Sequence, residues 1–250
     1  MRSDKLIISF FLLAFVLGCE NDGAMETAGG AGQGGSMTRF AISGNHLYLV
    51  DNTSIKVFDI TAGKFEQLED VHVGWGMETI FAREDYLYLG ATDAMYIYSI
   101  ADPVRPVFVF RYQHLLSCDP VVVQGTRAYV TLRAGSTCNR GVNALEIIDI
   151  SDPYQPVLIK NYPMRSPHGL GVDNDLLFLC EGTMGFKVFD ITDERDIALI
   201  EHRDDFFAYD VIAREGVATV TGEDGIFQFA YGPDTPITEL SKIPVERALQ

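Results

Sequence analysis

Leu145–Val157, LEIIDISDPYQPV, is the stretch whose reading decides the fold. It returns as IKVFDIT (Ile55–Thr61), MYIYSIADPVRPV (Met95–Val107) and FKVFDITD (Phe186–Asp193), and in altered form as IFQFAYGPDTPI (Ile226–Ile237). An apolar, β-branched or aromatic strand runs into a polar turn, and three copies add Pro-x-x-Pro. Proline cannot donate to a strand ladder, so that segment separates one strand from the next. Copies recurring about every 40 residues are the mark of a repeat architecture.

Working outward, the residues before successive tight turns are Ile42, Phe81, Val123, Val172 and Ala213, spaced by 39, 42, 49 and 41 residues. The long spacing holds an insertion, LRAGSTCNRGVN (Leu132–Asn143). Each repeat divides into four short strand-like runs. In the fourth they are HGLGV (His168–Val172), LLFLC (Leu176–Cys180), FKVFDI (Phe186–Ile191) and IALIEH (Ile197–His202). Gly44-Asn45, Glu84-Asp85, Gly125-Thr126, Asn174-Asp175 and Glu215-Gly216 separate the first run from the second and suit hairpins. No segment keeps a 3.6-residue period, which excludes helical arrays. The expectation is an all-β, five-bladed β-propeller of four-stranded antiparallel blades over residues 37–250. The ring is expected to close by blade five packing on blade one. An open β-solenoid, or a ring completed by another chain, is the alternative.

Ahead of the repeats, Arg2 and Lys5 precede the apolar run Leu6–Leu17, which is too short to span a bilayer. Val16-Leu17-Gly18-Cys19 resembles a bacterial lipobox. That resemblance implies a signal peptide over residues 1–18, diacylglycerol and an N-acyl chain on Cys19, and export to the outer membrane, on its periplasmic or cell-surface face. Several acyl chains on one residue anchor stably. Residues 19–36 are rich in Gly and Ala and read as a flexible tether with a mean reach of about 20–25 Å.

The FDI/IDIS-DP-x-x-P units, with CDPVVV…AYVTLR (Cys118–Arg133) and PHGLGVDN (Pro167–Asn174), resemble bacterial LVIVD-repeat proteins across residues 37–240. The family is propeller-like and often exported or surface-anchored. It implies a fold and a location, and no single activity.

In a blade of antiparallel strands, the start of strand one and the loop between strands two and three share a face. Cys118 begins strand one of blade three and Cys138 lies in its inserted loop, so these two are expected to form a disulfide. Cys180 sits in the apolar run LLFLC and reads as a small core residue. The same face collects Arg39, Glu78, Asp119-Pro120, His168-Gly169 and Tyr209-Asp210, with Trp75, Arg133 and Arg140 nearby. These side chains are expected to converge at one channel mouth and to bind a carbohydrate, peptide or protein partner.

A net charge of −16 with no run of Lys or Arg argues against a nucleic-acid partner. His46, His72, His114, His168 and His202 lack metal-ligand spacing, and no phosphate-cradling glycine loop or G-x-S-x-G elbow is present, so no metal or cofactor is expected. Asp51, Asp59, Asp149 and Asp190 sit at turns and are expected to accept backbone N–H groups. A non-catalytic binding module is the favoured function. The alternative is a glycoside hydrolase using Glu78, Asp119 and Asp210. Arg39 and Arg133 count against it, since cations hold carboxyl pKa values down where a general acid needs them raised.

Overall fold

The computed structural model describes residues 34–63, 65–113, 120–134, 142–232 and 235–245. Among these, twenty strands form five separate four-stranded antiparallel sheets. Blade one holds β1 (Phe40–Ser43), β2 (His46–Val50), β3 (Ser54–Asp59) and β4 (Glu66–His72). Blade two holds β5 (Met77–Arg83), β6 (Tyr86–Ala91), β7 (Ala94–Ser99) and β8 (Val107–Gln113). Blade three holds β9 (Val121–Gln124), β10 (Arg127–Leu132), β11 (Ala144–Asp149) and β12 (Val157–Pro163). Blade four holds β13 (Leu170–Asp173), β14 (Leu176–Cys180), β15 (Phe186–Asp190) and β16 (Ala198–Arg203). Blade five holds β17 (Ala208–Arg214), β18 (Val217–Gly222), β19 (Gly225–Gly232) and β20 (Thr235–Pro244). Within every blade the strands lie side by side in chain order, the five-bladed propeller architecture that the repeats predict.

The repeated aspartates work as the sequence suggests. Asp59, Asp149 and Asp190 accept the N–H groups of Thr61 (2.6 Å), Ser151 (2.8 Å) and Thr192 (2.8 Å), and Asp51 accepts those of Thr53 and Ser54. In the Asp-Pro segments and their blade-four counterpart, Asp102, Asp152 and Asp193 do the same for Val104, Tyr154 and Arg195. These local bonds hold the turn between strands three and four, and in blade one, through Asp51, that between strands two and three, without a partner strand. Each outer strand then carries an extra residue at an equivalent level: Leu68, Val109, Ile159, Ile200 and Leu240. A bulge of this kind twists the exposed edge and blunts pairing with another sheet.

Blades pack face to face. On strand two, Leu87, Leu89, Ala128, Val130, Leu177, Leu179, Ala218 and Val220 point at the preceding blade, and all are fully buried. Tyr48, Tyr88, Tyr129 and Phe178 lie on the opposite face, toward the following blade. Polar bonds also cross the joints: Tyr48 donates to Pro103 O (2.8 Å), Tyr162 to Glu194 O (2.9 Å) and Tyr231 to Asp173 (2.5 Å).

The expected packing of blade five on blade one is not seen among the described residues. Apolar clusters fill the four consecutive joints, and among the described residues none joins the last blade to the first. Thr219 and Gln228 are the reason. They stand in β18 and β19 where the other blades put Tyr or Phe and then Val or Ile. The two ends are linked by polar contacts from the segment ahead of β1.

Candidate functional site

The ladders bring Arg39, Thr79, Pro120, Gly169 and Asp210 to one level at the start of the inner strands. Glu78, His168 and Tyr209 stand one residue earlier. Glu78 and Tyr209 are each the extra residue of a bulge, opposite the ends of β6 and β18. Bulges re-aim a side chain out of the sheet. Arg39 is therefore level with Thr79, and not with Glu78 as the sequence alignment has it. Asp119, Arg140 and the Cys118–Cys138 pairing lie outside the described residues.

Asp210 is engaged by its own chain. Ser36 Oγ donates to Asp210 Oδ1 (2.8 Å) and accepts the N–H of Leu170 (2.8 Å), while the Met37 N–H reaches Asp210 Oδ2 (3.2 Å). The Thr38 carbonyl accepts the N–H of Ile80 (3.0 Å). Residues 35–38 thus form a strap from the inner strands of blades four and five to that of blade two. Gly35 and Ser36 are buried, so the folded part starts ahead of Met37, inside the stretch expected to be tether. Two glycines permit the approach. A Cβ on Gly35 would lie 2.2 Å from Asp210 Oδ2, and one on Gly169 would lie 2.0 Å from Asp210 Oδ1. Burial pushes the Asp210 carboxyl up, and the donors from Ser36, Met37 and Val211 only partly offset it.

His168 is buried and both ring nitrogens are used. Nδ1 lies 2.7 Å from the Ser166 carbonyl, which can only accept, so Nδ1 carries the proton. Nε2 lies 3.0 Å from Arg133 Nη1, which can only donate, so Nε2 accepts. Burial holds the imidazole pKa below its ordinary value and keeps that tautomer neutral. Phe207 and Tyr209 pack edge-on against the ring at 5.7 and 6.5 Å. His168 is therefore a support that orients Arg133, not a group offered to a ligand.

Glu78 is half-buried, and burial pushes its carboxyl up further than Arg39 and Arg133 pull it down. The sequence argument expected the arginines to win; desolvation is the larger effect. Trp75 stands 75% exposed between Gly74 and Gly76, on the loop entering β5. Arg39 and Tyr209 are also exposed. Arg39 and Arg133 thus act on the half-buried Glu78 carboxyl, while Trp75 is exposed on the loop entering β5 and Tyr209 on the bulge of β17.

Glu181 is the residue that sequence reading missed. It follows β14 and is fully buried, accepting Lys187 Nζ and the N–H groups of Arg165 (2.7 Å) and Ser166 (3.3 Å). Burial alone would raise its pKa; Lys187 and the two N–H groups outweigh burial and hold it low. The pair pins the connection between blades three and four directly beneath His168. Cys180, just before it, is a free buried core thiol, as its apolar run suggested. Among the described residues no three His, Cys, Asp or Glu side chains converge as a metal site.

Residues 140–163 match the family model of the LVIVD repeat. Blade three carries an LVIVD repeat. The match spans β11, the Asp-Pro-x-x-Pro turn and β12, so this LVIVD unit is the outer hairpin of its blade. No curated protein matches by sequence. By structure, the chain is similar to a protein of unknown function from Desulfotomaculum acetoxidans DSM 771, with a TM-score of 0.68 and 8% identity over 83% of this chain and 69% of that one. It is similar to the periplasmic gluconolactonase PpgL of Pseudomonas aeruginosa, with a TM-score of 0.59 and 14% identity over 81% and 68%. It is also similar to a chain of a nidogen/laminin complex, with a TM-score of 0.57 and 13% identity over 80% and 76%. The chain spans between 57% and 76% of the lengths of the first structures it matches. At these identities the likeness is one of fold.

Proposed function

We propose that this protein is a lipid-anchored, non-catalytic recognition module that takes a carbohydrate, peptide or protein partner at the channel mouth. One observation supports binding over catalysis: both oxygens of Asp210 are occupied by the chain's own Ser36 and Met37. A glycosidase needs two free carboxyl groups facing each other across a substrate. Glu78 has the raised pKa of an acid, yet among the described mouth residues it has no free partner carboxylate. What the mouth does offer is a large exposed aromatic, Trp75, and an arginine held rigid by a buried histidine. Aromatic and arginine side chains of this kind dominate binding energies, and rigid placement limits the ordering cost. Among known folds of this type, a gluconolactonase and a laminin-complex chain illustrate both classes.

The test is a glycan and peptide array probed with the full chain, alongside a hydrolysis assay on every glycan captured. Capture without turnover is the expected result, and turnover with a bell-shaped pH profile would replace the binding module with an enzyme. Anchoring is tested separately. The parent chain should incorporate a palmitate analogue and partition into detergent, and Cys19→Ser should do neither. Equal labelling of the two would end the lipoprotein reading.

A further inference from the structure

Among the described residues, one face of blade one is only partly covered by the chain. Phe40, Ile42, Leu47, Leu49 and Phe58 lie on it, paired across β1, β2 and β3. Their counterparts in the other blades point at the preceding blade and are buried, whereas Phe40 is 48% exposed and the other four are partly exposed. The opposite end of the array is different. Blade five presents Thr219, Thr221 and Gln228 outward, with Ile212 and Ile226 among them. That is how a solvent-facing terminal repeat is capped, and blade one has no such cap.

We propose that the free face of blade one is a self-association surface, on which two copies of this chain pack face to face about a twofold axis. Three features select a second copy as the occupant. The five central positions are all apolar, and in each of the four internal joints the equivalent positions are covered by another sheet of the same repeat. The polar end of blade five does not supply such a sheet, whereas an identical blade one does. The rim carries both signs, with Lys56 beside Leu49 and Asp70 beside Lys56, so the face does not meet itself as like charge against like. An apolar centre with a mixed polar rim is the composition of an isologous interface, and twofold dimers are the commonest assemblies. Two sheets with apolar inner faces pack as a sandwich.

Cysteine crosslinking in the full chain tests this, with the parent chain and its four cysteines as background. Leu49→Cys should shift on a non-reducing gel to twice the monomer mass, while Ile226→Cys, on the capped end, should stay at the parent position. Phe40→Asp added to Leu49→Cys should abolish the shift, with the melting temperature showing that the chain still folds. A mixed dimer between Leu49→Cys and Ile226→Cys chains would mean head-to-tail association and overturn the twofold model. An internal crosslink in the chain bearing both cysteines would mean that the ring closes on itself, and would overturn it too. No crosslink from folded Leu49→Cys would leave the face without a second copy and end the proposal.

Discussion

Lys187→Met is expected to destabilise the protein by about 3–5 kcal/mol at neutral pH, the usual cost of stranding one partner of a buried ion pair. For a chain of this size that is a fall of roughly 6–20 °C in melting temperature. Glu181 is fully buried and would keep only the N–H groups of Arg165 and Ser166. The pH dependence makes the cause identifiable. In the parent chain the Glu181 carboxyl is held below its ordinary value, so its contribution is complete above the ordinary carboxylate range and is lost as pH falls through the lowered value. With Lys187 gone, burial dominates and the carboxyl rises above its ordinary value, so the variant gains relative stability as it protonates. The gap between parent and variant should therefore narrow on acidification. Melting curves from neutral pH to about pH 4 decide it; a gap that is constant with pH would mean lost packing, not a stranded charge.

Phe186→Ala is expected to cost about 3–5 kcal/mol by opening a cavity in the joint between blades four and five. Phe186 is fully buried between Phe178, 6.0 Å away, and Phe229, 5.6 Å away, with both rings stacked on it. Phe206 and Phe227 extend the same cluster at 4.2 Å. The clusters are confined to single joints, so the loss should be local, as in other repeat arrays. Hydrogen exchange should show β15 and β17–β19 losing protection while blades one to three keep theirs. Uniform loss across all five blades would show that the array is more cooperative than its packing suggests.

Most of the fold could be read from the sequence because every blade repeats a period-two apolar strand and blades one to four add an aspartate-held turn. The errors came where side-chain size misled. Phe81 looks like the counterpart of Ile42, Val123 and Val172, yet the registers put Ala82 there, paired with Leu87 as Ile42 is with Leu47. With Ala82 in place the spacings become 40, 41, 49 and 41 residues, and the mouth residues fall into their observed levels. A slip of one residue exchanges the two faces of a strand. The repeat pattern records strand existence, while the joint between the last blade and the first depends on single positions such as Thr219 and Gln228. The strap and the Glu181–Lys187 pair could not be read at all. Ser36 and Asp210 are 174 residues apart, and nothing local marks a serine in a glycine-rich stretch as buried. Glu181 and Lys187 are six residues apart across a turn, a spacing with no significance until β14 and β15 pair.

The central claim is that the mouth is a preformed recognition surface, and it is tested most directly by measuring array capture and melting together for Trp75→Ala. Trp75 is three-quarters exposed, so its removal takes little packing with it. Truncating a binding-site anchor of this kind typically costs about 2 kcal/mol or more, so capture is predicted to weaken by about thirtyfold or more, while the melting temperature stays within roughly 2 °C of the parent, as for other surface substitutions. Undiminished capture by Trp75→Ala, or a parent chain that captures nothing, would contradict the account and leave the mouth residues as architecture.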